Sequence, residues 1–204
     1  MPIALGRRRD SGFVGDLRFL VSPVTPAEHA IRPERNPIAQ TCPMNEPRRQ
    51  LVKIVSGGQT GVDRAALDVA MELGIPHGGW CPKGRRAEDG PIPPRYRLRE
   101  TESPDYASRT DRNVADSDGT FILYRGSLQG GTALTRDCAR RRGKPLLAVD
   151  LEAPTIPEAV REWLKAENVH VLNVAGPRES QSKGIATAAS AYLRLVLDAP
   201  PPLL

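Results

Sequence analysis

Cysteine is scarce in this chain of 204 residues: Cys42, Cys81 and Cys138 are all there is, with no CxxC or CxxH spacing among them. An odd number so placed excludes a disulfide framework and a structural zinc site, and reduced thiols are expected. Aromatics are also few, at two Trp, four Tyr and three Phe. A basic surface interleaved with stacking rings is therefore missing, which argues against a nucleic-acid partner. No apolar run approaches the roughly 20 residues of a membrane span. The N-terminus has neither the unbroken apolar segment nor the small-residue cleavage site of a secretory signal. A cytoplasmic location without membrane contact is the expectation. No paired-carboxylate or triad pattern stands out, although Asp63, Asp68 and Glu179 are possible bases.

What the chain does have is clearest after residue 50. Its length suits one full-size domain with a tail. Residues 1–43 carry six prolines and six arginines and are expected to be a disordered extension, with Met44 a candidate start of the functional product. Residues 44–204 are expected to form a single ligand-binding domain. Within it β-rich runs at Leu51–Val55, Ile75–Trp80, Thr120–Tyr124, Pro145–Leu151 and His170–Val174 alternate with helical patterns. Continuous apolar strands separated by helices predict an α/β, Rossmann-like, doubly wound sheet of five or more mainly parallel strands with helices on both faces. Helices are predicted from Val62 to Leu73 with Thr60 as cap, at Asp105–Ala115, Thr132–Arg142, Pro157–Ala166 and Lys183–Leu197.

Three loops follow strand ends and so fall on one edge of such a sheet, where open α/β sheets bind ligands. The first is Ser56-Gly57-Gly58-Gln59-Thr60-Gly61, whose glycines allow close approach to an anion facing the next helix. Asp63 and Arg64 stand in that helix's first turn. Ser56 replaces the first glycine of GxGxxG and no ribose-binding acid ends the second strand, so a standard NAD site is excluded; no Lys-Ser or Lys-Thr follows Gly61, so a Walker A loop is excluded too. The second loop reaches Gly130, Gly131 and Thr132, and the third carries Arg178, Glu179 and Ser180. Lys83 lies in a segment with Arg85 and Arg86 that reads as a cationic lip over the first turn. Arg109, Thr110 and Asn113 share a predicted helix, and Arg109 and Asn113, one turn apart, can face the same edge. The net charge of +5 fits a small anionic ligand as well as anything larger. No metal-ligand cluster and no catalytic residue is assigned.

The wording of these motifs resembles a known family. SGGQTGVDRAALD at 56–68, CPKGRRAEDGPIP at 81–93, SRTDRNVADSDGTFIL at 108–123, QGGTALT at 129–135 and NVAGPRES at 173–180 are similar to the molybdenum cofactor carrier family over about residues 51–197. That family resembles in turn the lysine decarboxylase-like phosphoribohydrolases and the DNA-processing protein A. In the phosphoribohydrolases a GGxGTxxE motif supplies a catalytic glutamate; the matching position here is Thr135, while Arg109 matches their arginine. The resemblance implies a homo-oligomer, commonly a tetramer, that binds, stores and protects or delivers molybdenum cofactor to recipient molybdoenzymes without catalysis. The alternatives it leaves are a nucleotide-processing enzyme, such as a nucleoside monophosphate N-glycosidic hydrolase, and a nucleotide-sensing module. Either would hold a nucleotide-like phosphate ligand in place of the cofactor.

Overall fold

The computed structural model describes residues 51–198; the extension expected at 1–43 lies outside them. β1 (Lys53–Val55) leads through the first glycine loop into α1 (Val62–Glu72) and β2 (His77–Gly78). An insertion of short pieces follows: β3 (Trp80–Cys81), β4 (Arg86–Ala87), β5 (Gly90–Pro91) and β6 (Arg99–Glu100). The chain then alternates through α2 (Tyr106–Ala115), β7 (Gly119–Tyr124), α3 (Gly130–Arg141) and β8 (Leu146–Asp150). It ends with α4 (Pro157–Ala166), β9 (Val171–Ala175) and α5 (Ile185–Leu197).

Five strands form one parallel sheet in the order β2-β1-β9-β7-β8. The last strand therefore lies in the middle. Carrying β9 and α5 to the front of the chain would turn this order into 3-2-1-4-5, the Rossmann arrangement. The expected doubly wound sheet is thus present in a circularly permuted form, which strand patterns alone do not reveal, because they give the elements but not their spatial order.

Alternation along the strands sends residues to two cores. Ile54, Phe121, Leu123, Leu172 and Val174 pack with Val62, Ala66 and Val69 of α1, Val160 of α4, and Ile185, Ala189 and Leu193 of α5. Val114 of α2 and Cys138 and Ala139 of α3 make a smaller cluster. Phe121, fully buried, is worth about 3–5 kcal/mol against truncation to Ala.

Three local expectations differ. The run Ile75–Trp80 is not one strand: Gly79 at φ +125 sits against the Ser56 backbone, where a Cβ would meet the Ser56 carbonyl oxygen at 2.3 Å. β3 consequently leaves the main sheet and pairs with β6. Gly61 (φ +74), not Thr60, is the N-cap of α1, and no side chain caps it. α3 begins at Gly130 and not at Thr132, since two glycines conceal a helical turn from any propensity argument.

Candidate functional site

The order reversal of the sheet falls between β9 and β7, so the segments leaving their carboxyl ends flank a crevice. A small cleft of about 60 Å³ lies there. Its walls come from four directions: Gln59 and Asp63 from the first loop and α1, Arg109 and Thr110 from α2, Gly131 and Thr132 from the start of α3, and Gly176 and Arg178 after β9. The space is that of a few waters, the size of one oxyanion.

Two polar atoms beside this cleft are buried without a hydrogen-bond partner, Arg109 Nε and Gln59 Nε2. Orphaned buried donors are costly, so a pair of them on one cleft favours an acceptor arriving from outside. Arg109 is held by Asp63, with Nη1 donating to Oδ2 at 3.0 Å. The pair is well shielded, at 15% and 3% side-chain exposure. Burial pushes the Asp63 carboxyl above its ordinary value, while the Arg109 charge and the Gln59 N–H pull it back. Gly57 makes room for the guanidinium: a Cβ there would sit 1.4 Å from Arg109 Nη1.

Apart from Gln59 Nε2, much of the first glycine loop is already engaged. The Gln59 N–H donates to Asp63 Oδ2 at 3.3 Å, and the Thr60 N–H to the Gln59 side-chain oxygen at 3.1 Å. The Val62 N–H donates to the Pro177 carbonyl at 3.2 Å. Thr60 Oγ1 donates to Glu88 and accepts from the Glu179 N–H at 3.2 Å. At α3 the Thr132 and Ala133 N–H groups donate to the Gln129 carbonyl at 3.1 and 3.2 Å, but Gly130 and Gly131 open the helix with no partner four residues back, and a Cβ added at Gly131 would meet nothing within 4 Å. The open donors and the positive dipole end are therefore at the second loop, facing Arg109.

A model of the circularly permutated YpsA SLOG family matches residues 54–197. The chain belongs to that family. A circular permutation is named in that family, and the sheet of this chain has a permuted Rossmann order. A solved structure from Syntrophus aciditrophicus, named a "putative molybdenum carrier protein", is 47% identical to this chain, with a TM-score of 0.70; the match covers 72% of this chain and 95% of that one. No curated protein matches.

In this family member, seven of the residues singled out from sequence line one cleft: Gln59, Asp63, Arg109, Thr110, Gly131, Thr132 and Arg178. Others frame it. Ser56 Oγ donates to the Val174 carbonyl at 2.7 Å, tying the first loop to β9. Gly58 and Gly61, both at φ +74, let the chain pass close to Leu98 and to the Pro177 carbonyl, and Gly130 at φ +51 begins α3. Arg64 pairs with Asp89 at 2.5 Å and donates to the Gly58 carbonyl at 3.2 Å.

The remaining candidates point elsewhere. Asn113 clamps the Trp80 backbone, accepting its N–H at 2.7 Å and donating to its carbonyl at 3.0 Å. The Glu179 carboxylate accepts from the Gly184 and Ala186 N–H groups and so caps α5. Ser180 engages Glu88. Lys83 is exposed and outside the cleft. The lip is not cationic where it meets the site: Arg85 turns inward to the carbonyls of Ile92, Pro93 and Tyr96 at 2.9–3.0 Å, and Glu88 and Asp89 face the loops. Sequence reasoning passed over Tyr106 and Gln181, which also line the cleft. Tyr106, one turn before Arg109, lies under the Arg178 guanidinium at 5.5 Å, a contact for which helical spacing was the available signal. Thr135 lines the cleft as well, its hydroxyl donating to the Gly131 carbonyl at 2.9 Å. Among the described residues no three His, Cys, Asp or Glu side chains converge as metal ligands, and no helix is long and apolar enough to cross a membrane.

Proposed function

We propose that this chain carries molybdenum in the form of its pterin cofactor, binding the cofactor through its anionic groups and holding it without turnover. The observation that supports this most is the orphaned, buried Arg109 Nε beside the open N-terminus of α3: a donor set for one oxyanion and no acceptor of the chain's own to fill it. The cofactor has a terminal phosphate and an oxo-molybdenum head, so either end suits such a site. The cleft takes one anionic end, and the pterin body lies outside it. The name of the Syntrophus relative favours molybdenum over other cargo. A homo-oligomer in the cytoplasm that hands the cofactor to molybdoenzymes completes the proposal.

The rival reading, hydrolysis of a nucleoside monophosphate, needs a free acid near the reacting bond. Thr135 stands where related hydrolases have glutamate, and the acid on the cleft, Asp63, is engaged by Arg109 and Gln59. Incubation of the purified protein with molybdenum cofactor and, separately, with nucleoside monophosphates decides between them. Stoichiometric retention of molybdenum and pterin with no free base is expected. Release of base that Asp63→Asn abolishes would replace the carrier by an enzyme.

A further inference from the structure

The tip of the β4–β5 hairpin meets the binding edge at donors from two other loops. The Glu88 carboxylate accepts from Thr60 Oγ1, from Ser180 Oγ and from the Ser180 N–H, the last at 3.3 Å, and Arg178 Nη1 lies 3.9 Å away. Two hydroxyls, an N–H and a guanidinium converging on one point are the donors that hold a phosphate-type oxyanion. The hairpin base is fixed by the inward guanidinium of Arg85. The tip is tied as well: the Glu88 N–H donates to the Gln59 side-chain oxygen at 2.9 Å, and the Asp89 carboxylate takes the Arg64 guanidinium at 2.5 and 2.7 Å. Only the Glu88 side chain, turning about its own bonds, has then to leave the cradle, with the backbone of the tip in place.

We infer that this cradle is a second oxyanion subsite and that Glu88 is its built-in occupant: a ligand with a second phosphate-type group displaces the carboxylate and takes over Thr60, Ser180 and Arg178. The inference rests on the carrier reading in one respect, that Arg178 both lines the cleft and faces the cradle, so one ligand can reach both. A ligand with a single anionic group fills the α3 site first and expels the Glu88 carboxylate only at higher concentration; a ligand with two does both at once. Glu88 thereby sets specificity for ligands with two anionic groups, because a competitor with one group is held at α3 and does not compensate for expelling the carboxylate.

The test uses inorganic sulfate, whose charge is constant across the working pH range, followed by amide NMR at Ser180 for the cradle and Gly131 for the α3 site. In Glu88→Gln the Ser180 amide is expected to saturate at about tenfold lower sulfate than in the wild type, corresponding to about 1.4 kcal/mol, with Gly131 unchanged. Adding Ser180→Ala to Glu88→Gln should remove the gain, read at the Thr60 amide. Equal or weaker sulfate response of Ser180 in folded Glu88→Gln overturns the inference. Should that variant not fold, the wild type decides: the Glu88 side-chain carboxyl carbon, followed by NMR, is expected to shift together with the Ser180 amide at high sulfate, and an unchanged Glu88 signal overturns it. Tightening at Ser180 without retention of molybdenum cofactor leaves the cradle standing and removes the carrier reading; retention with no tightening does the reverse.

Discussion

The first and second glycine loops look alike in sequence and do opposite things in the structure. Both leave parallel strands, both enter helices, and both were candidates for anion binding. The first loop is held by its neighbours: Asp63 and the Gln59 side chain take two of its N–H groups, Glu88 takes the Thr60 hydroxyl, and Gly61 is wedged against the Pro177 carbonyl. The second has open space at Gly131 and faces an arginine with an unpaired donor. A glycine-rich turn is therefore a site only if the fold leaves its donors free, and here the same motif class serves once as scaffold and once as receptor.

The largest effect should come from the link between the two regions. Arg109→Ala leaves Asp63 buried and unpaired, and a loss of about 3–5 kcal/mol is expected in urea denaturation at neutral pH, together with loss of anion binding. Asp63 already holds its proton more tightly than usual because of burial. Unpaired, it escapes the penalty by protonating, so the loss should shrink as pH falls; a loss independent of pH would break the account of this pair.

Next, the two loops should respond in opposite ways to a side chain. Gly61→Ala meets both φ +74 and the Pro177 carbonyl oxygen 2.3 Å from the added Cβ, which should cost about 1–3 kcal/mol of stability. Oxyanion affinity should change little once the protein is folded. Gly131→Asp has room and adds a negative charge to the first turn of α3, which should raise stability by about 0.3–1 kcal/mol. The same change should lower oxyanion affinity by about tenfold or more in calorimetry. Reversal of either outcome erases the contrast.

Much of this was legible beforehand because it rests on local chemistry. The strand runs at Thr120–Tyr124 and His170–Val174, the helix at Asp105–Ala115 with its Asp105 cap, and the gathering of Arg109, Gly131 and Arg178 follow from periodicity and from loops on one sheet edge. What stayed hidden depends on through-space partners. Nothing local says that Glu179 will cap α5, that Asn113 will clamp Trp80, or that Arg85 will turn inward while Glu88 faces the donors. The position of β9 at the centre of the sheet is likewise a property of strand order, which periodicity does not encode.

Smaller effects sharpen the distinction between scaffold and receptor. Glu179→Ala removes the carboxylate that caps α5 and should cost about 0.5–2 kcal/mol, with oxyanion affinity intact; a lost affinity would return Glu179 to the site. The smallest concerns Glu88. Burial pushes its carboxyl up, but hydrogen bonds from Ser180 and Thr60 and the Arg178 charge outweigh that and hold it below its ordinary value of 4.5. Its contribution is present above that pH and is lost as acid protonates it in the fold. The wild type should thus lose more melting temperature than Glu88→Gln between neutral pH and pH 4.

The most direct measurement is a crystal structure of the wild type with molybdate, located by the anomalous scattering of molybdenum. The account predicts that, at the lowest molybdate giving a peak, the metal lies between the Gly131 N–H and the Arg109 guanidinium, with the Glu88 carboxylate still on Thr60 and Ser180. A first peak at the backbone N–H groups of Gly57 and Gly58, or none at the start of α3, contradicts it.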